Sequence, residues 1–197
     1  MNEAMPSGLK VFQPKMFLDN RGYFMETWNE KTWRDFGVEA KFVQDNQSLS
    51  EAGVIRGLHY QLEPYGQAKL VRVVTGSAVD FVLDIRPTSV TYGKMYYVHL
   101  SSKTNNQFFI PRGFAHGFYA LEDNTTFCYK CDGYYSKELE RGINILDPSL
   151  DVINSLNQFV ASLGIKTEIR EDQLNFSEKD KGHPNLAEAD PWIPYIS

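Results

Sequence analysis

The chain has 197 residues, 20 of them Lys or Arg and 25 Asp or Glu, so it is long enough for one ordinary domain, too short for two, and net acidic at −5. That charge argues against a polyanion-binding surface, and 42% hydrophobic with 14% aromatic content, including 11 Tyr and 13 Phe, points to a globular protein built mainly of strands. No apolar run approaches the roughly 20 residues of a membrane helix, and residues 1–10 lack the apolar core of a secretion signal, so a cytoplasmic protein with no nucleic-acid or membrane partner is expected.

Residues 9–17 and 22–28 are rich in apolar and aromatic side chains and flank Asp19-Asn20-Arg21-Gly22, whose residue types suit a turn. An N-terminal hairpin is expected there, followed by a short amphipathic helix over 29–36 and a strand over 41–48. From Val54 to Asp147 the apolar segments are short and punctuated by Gly, Pro, Asn and Asp: 54–61, 68–75, 78–84, 94–100, 107–110, 117–121 and 126–131. Many short strands at such spacing predict a sandwich or barrel, and a double-sheet jelly roll protects the edges while leaving a mouth for a ligand. Leu150, Ile153, Leu156, Phe159, Val160 and Leu163 then share one helical face that ends at Gly164. The charged stretch 168–180 and Pro184, Pro191 and Pro194 suggest a tail wrapped over the surface with little regular structure. The whole reads as a single mainly β domain, 1–197, with a helical insertion and irregular tail over about 147–197.

The chemistry starts at His59 and Lys69, ten residues apart on consecutive predicted strands. Removing a proton from carbon beside a ketone requires a group that accepts the proton and another that neutralises the enolate oxygen; imidazole and ammonium supply both. His116, after the turn Pro111-Arg112-Gly113, enters a later strand of the same barrel. Two histidines approaching one cavity resemble the cupin pattern, in which histidines and a carboxylate bind a metal. Here Gln61 stands where a second histidine ligand belongs and Lys69 where a carboxylate does, so neither metal nor cofactor is expected. Cys128 and Cys131 face opposite sides of a predicted strand and read as structural rather than as a redox pair or half a zinc site.

Asp19 to Glu26, Phe42-Val43-Gln44-Asp45-Asn46, Arg56-Gly57-Leu58-His59-Tyr60-Gln61, Lys69-Leu70-Val71-Arg72, Asp84-Ile85-Arg86, Ile110 to Phe118, Tyr129-Lys130 and Ser177-Glu178-Lys179-Asp180 together resemble the dTDP-4-dehydrorhamnose 3,5-epimerase family, metal-independent jelly rolls of the cupin superfamily. The resemblance implies a dTDP-sugar substrate, dTDP-4-dehydro-6-deoxy-D-glucose, inverted at C3 and C5 on the way to dTDP-L-rhamnose. It assigns His59 as base oriented by Asp180, Lys69 as the enolate stabiliser and Tyr129 as proton donor from the opposite face. It also implies substrate contacts for Arg21, Phe24, Glu26, Gln44, Asn46, Arg56, His116 and Tyr135, and a homodimer whose N-terminal strands cross to the partner.

The chain departs from that pattern at Gly142-Ile143-Asn144-Ile145-Leu146-Asp147, where a family tryptophan is absent, and again near Val152-Ile153-Asn154. The insertion before Ser177 makes Asp84 an alternative partner for His59. Inversion at C3 alone, or a 3,4-ketoisomerase reaction on a related 4-keto sugar nucleotide, stays open.

Overall fold

The computed structural model describes residues 5, 6 and 8–195, so part of the 1–10 segment read above for a secretion signal lies outside the described residues. In chain order the elements are β1 (Lys10–Phe12), β2 (Met16–Asp19), β3 (Gly22–Met25), α1 (Glu30–Asp35), β4 (Gln44–Ser50), β5 (Ile55–Gln61), β6 (Lys69–Thr75), β7 (Ser77–Asp84), β8 (Met95–Ser101), β9 (Gln107–Ile110), β10 (Phe114–Ala120), β11 (Thr125–Cys131), β12 (Glu140–Gly142), α2 (Val152–Ser162) and α3 (Glu178–Lys181). Two five-stranded antiparallel sheets, ordered β1-β9-β6-β11-β4 and β12-β5-β10-β7-β8, form the jelly roll, and β2 with β3 makes a separate hairpin.

Strand β7 shows how the layers stack. All its residues are buried, which a strand achieves only when both faces are covered. Alternation sends Ala78 and Val82 inward, to a core shared with Val71, Val73, Phe108, Phe118 and Phe127 between the sheets. Val79, Phe81 and Leu83 turn to the other side and meet Leu156 and Val160 of α2. The insertion therefore covers the outer face of the second sheet, with Val152, Leu156 and Val160 spaced along one helical stripe. A third cluster, Trp33, Val38, Ala68, Leu70 and Phe109, seals the outside of the first sheet beneath α1. Asn29 caps α1 by accepting hydrogen bonds from the Lys31 and Thr32 amides at 3.0 and 3.3 Å.

Two expectations need correction. The 9–17 segment is not one hairpin arm: Lys10–Phe12 pairs with β9 in the barrel, and only Met16–Asp19 pairs with Gly22–Met25. The tail is also more regular than its composition suggests. It contains α3, whose first turn is capped by the Ser177 hydroxyl accepting from the Asp180 amide at 3.1 Å. Short β12, Glu140–Gly142, was invisible in sequence because three residues carry no readable alternation.

Asp84 is withdrawn from the His59 question by its own neighbours. Its carboxylate accepts hydrogen bonds from Arg86 Nη2 at 2.6 Å, Ser89 Oγ at 2.7 Å and Thr91 Oγ1 at 2.6 Å, knotting the loop between β7 and β8. Burial opposes the charge, but the Arg86 guanidinium and the two hydroxyls outweigh it and lower its pKa from 3.8 to about 2. A depressed folded-state value stabilises above the unfolded value and is lost as pH falls toward the folded one, here between about 4 and about 2. Asp84→Asn is therefore expected to cost about 2 kcal/mol at neutral pH in urea unfolding, with the gap to the parent protein closing as the pH approaches 2.

Candidate active site

The cleft lies between the sheets at one end of the barrel. From the first sheet, Lys69, Tyr129 and Cys131 project to it, joined by Gln44 and Asn46, because Tyr129 is paired with Asn46 and Cys131 with both Lys69 and Gln44. From the second sheet come His59 and His116, which are register partners on β5 and β10. Gly57 makes that pairing close: its φ of +113° is open to glycine, and a Cβ there would fall 2.6 Å from the His116 carbonyl oxygen. Two contiguous cavities of about 290 and 300 Å³ share His59, Lys69, Tyr129 and Glu140 in their walls. A larger cavity of about 410 Å³ involves the opposite face of the first sheet, with Leu70, Arg72, Cys128 and Lys130, and has no histidine.

His59 Nε2 is 2.7 Å from Asp180 Oδ1. Asp180 arrives from α3 because the chain docks on the start of β5, where the Ile55 amide donates to the Asn175 carbonyl at 3.1 Å and the Asn175 amide to that of Gly53 at 3.0 Å. Burial opposes the Asp180 charge, but contacts from His183 and His59, with the Gly57 amide at 3.4 Å, hold the carboxyl far below its ordinary range. An ionised carboxylate only accepts, so it accepts a hydrogen bond from the Nε2–H of His59, which leaves the lone pair on Nδ1. Burial lowers the pKa of Lys69, against the opposing pull of Cys131, Asp80 and Glu140, and raises that of Tyr129, which keeps the phenol protonated. His116 Nε2 lies 2.8 Å from Asp80 Oδ2 in full burial. Desolvation drives that histidine well down and that aspartate well up, toward neutral forms.

The remaining expected residues divide into two groups. Gln44, Asn46, Arg56, His116 and Tyr135 line the two cavities. Gln44 accepts from the Tyr135 amide at 3.0 Å, and Arg56 is steadied by Ser50 Oγ and the Leu49 carbonyl, each at 3.2 Å. Arg21, Phe24 and Glu26 line neither cavity. Arg21 turns back to Asp19 at 2.6 Å, Phe24 is 69% exposed on the hairpin, and Glu26 accepts from Asn29 Nδ2 at 3.0 Å. Sequence reasoning missed Glu140, which accepts from the Tyr135 hydroxyl at 2.7 Å and pairs with Lys179 at 2.5 Å in the cleft wall. It also missed His183, although the Asp180-x-x-His183 spacing on a helical turn was available as a signal. Cys128 and Cys131 are free and line different cavities, as their alternation required.

A jelly roll whose mouth joins a carboxylate-oriented imidazole to a half-buried ammonium and phenol defines a class of acid–base enzymes acting on carbon acids. Residues 4–188 match the family model described as dTDP-4-dehydrorhamnose 3,5-epimerase. The chain belongs to this family. It is 51% identical to the dTDP-4-dehydrorhamnose 3,5-epimerase of Shigella flexneri over 143 residues, covering 72% of this chain and 79% of the relative. It is 42% identical to that of Methanothermobacter thermautotrophicus over 181 residues, 92% of this chain and 91% of the relative. The dTDP-6-deoxy-D-glucose-3,5-epimerase of Legionella pneumophila, solved in complex with dTDP-4-keto-L-rhamnose, superposes with a TM-score of 0.80 at 40% identity, covering 95% of this chain and 94% of that one.

Proposed function

We propose that this chain inverts C3 and C5 of dTDP-4-dehydro-6-deoxy-D-glucose to give dTDP-4-dehydro-L-rhamnose. The observation that carries this reading is the 2.7 Å His59–Asp180 contact in a cleft that also holds Lys69 and Tyr129. The C4 ketone acidifies the hydrogens at both neighbouring carbons. His59 Nδ1 takes one, and Asp180 stabilises the imidazolium that forms. Lys69, stripped of much of its hydration, gains more from a developing enolate oxygen than a solvated ammonium would. Tyr129 returns a proton from the other face, because a proton returned by its original acceptor restores the starting configuration. Arg56 and the amides of Gln44 and Asn46 hold the nucleotide portion, the guanidinium suiting a diphosphate, while Tyr135 and His116 border the sugar.

The hairpin supports a homodimer in which Arg21, Phe24 and Glu26 complete the cleft of a second copy. Phe17, Leu18, Tyr23 and Phe24 are 53%, 75%, 54% and 69% exposed on a two-stranded unit that is marginal by itself. A Leu18→Glu, Phe24→Glu double substitution is expected to sediment as a monomer.

Incubation with the 4-keto sugar nucleotide in deuterated water tests the function. Deuterium at both C3 and C5 of an inverted product is expected; entry at C3 alone would make this a 3-epimerase, and entry at neither rejects the reading.

A further inference from the structure

His183 has no proton-transfer step in the reaction just described, yet it packs against both members of the dyad. It stands three residues after Asp180, and its ring packs edge-on to His59 with centroids 5.6 Å apart at 83°. The seat is made by Gly142, the β12 partner of His59: a Cβ there would lie 2.3 Å from Nε2 and Cδ2 of His183. The His183 Nε2 is buried without a hydrogen-bond partner and faces Asp180 Oδ1 from 3.5 Å, too far for a good bond. Among the described residues, His59, Asp180 and His183 form a group of three whose ligand atoms lie within 4.8 Å of one another.

We propose that these three side chains bind one divalent ion of the zinc class, and that its binding silences the base. Two imidazoles and one carboxylate select Zn²⁺ or Co²⁺ over Mg²⁺ or Ca²⁺, which prefer all-oxygen shells. Ligands at about 2.0–2.2 Å from a tetrahedral zinc stand roughly 3.3–3.5 Å from one another. The 3.5 Å His183–Asp180 separation fits that spacing, and the 2.7 Å His59–Asp180 contact has to open by under about 1 Å. Three protein ligands leave a fourth tetrahedral position for water or a sugar oxygen. Of the nearby lysines, Lys179 is offset by Glu140 at 2.5 Å, and Lys69 lies across the cleft on the first sheet.

The proton count is neutral. Unbound His59 carries one proton, on Nε2 toward Asp180; a metal at Nε2 uses that lone pair, and the proton passes through solvent to Nδ1. Nδ1 is the atom that removes the substrate hydrogen, so a bound ion and an active base exclude each other. This inhibition rests on the epimerase reading; the metal site itself does not.

The test uses the full-length, chelator-washed protein. Co²⁺ titration without sugar nucleotide is expected to give a visible d–d band saturating at one equivalent and displaced by Zn²⁺. One equivalent of Zn²⁺ should suppress deuterium exchange at least tenfold, with recovery on adding EDTA. In His183→Asn, Zn²⁺ affinity should fall at least tenfold, and the ratio of exchange rates with and without Zn²⁺ should approach one. No stoichiometric band in the parent protein, or unchanged affinity and inhibition in the variant, overturns the proposal. Imidazole ¹⁵N shifts in the parent protein decide independently of the variant's folding: Zn²⁺ must move His59 and His183 and leave His99 in place, and any other pattern overturns the site. A band in a protein with no exchange activity supports the metal site and rejects the epimerase reading.

Discussion

His59→Ala is expected to lower the rate of deuterium entry at C3 and C5 by about a thousandfold, roughly 4 kcal/mol of transition-state stabilisation, while leaving the melting temperature nearly unchanged. The small structural cost follows from the side chain's 30% exposure at the cleft and from a barrel core that does not contain it. Asp180→Asn should produce a loss of similar order, because the amide can donate to Nε2 and so favours the tautomer with its proton on Nδ1, the wrong atom. The double variant should be no slower than the worse single one, since the two residues act as a unit. Rates in the double variant equal to the product of the single losses would show that the 2.7 Å contact does not operate as a dyad.

Tyr129→Phe should separate exchange from inversion. With His59 and Lys69 intact the enolate still forms, and the base, after trading its proton with solvent, returns deuterium to the face it came from. Recovered substrate is then labelled but keeps its configuration, while inverted product falls by at least about a hundredfold. Nuclear magnetic resonance of the sugar ring reads both quantities in one tube. Equal loss of label and product would assign Tyr129 to enolate formation, and retained inversion would identify another donor. Removing one hydroxyl from a half-buried strand residue leaves the ring packing against Phe127, centroids 6.3 Å apart, so the fold should tolerate the change.

The barrel was legible because its strands are short, bounded by turn residues and alternating, and the match of residues 107–110 to β9 shows how far that signal reaches. The helix α2 was equally plain, since Leu156, Phe159 and Val160 fall on one face. The site was legible through motifs rather than periodicity. Nothing in the spacing of His59 and Asp180, 121 positions apart, indicates contact; it arises from the parallel bridge that 53–55 makes with Asn175. Glu140 and His183 stayed hidden because one lies on a strand of three residues and the other beyond a tail whose charge and prolines pointed to irregular structure. Arg21, Phe24 and Glu26 carry family motif positions yet sit outside the chain's own cleft, which the motif alone could not indicate.

The docking of α3 onto β5 has a consequence for biosynthesis. Every strand of both sheets precedes Asp180 in the chain, so a nascent chain can carry its whole barrel, with an unoriented imidazole inside it, before the orienting carboxylate is made. Such a barrel could hold ligand without turning it over. Competence would switch on only once α3 has been made and docked, and a nonsense codon after Gly164 would leave a barrel that lacks its dyad.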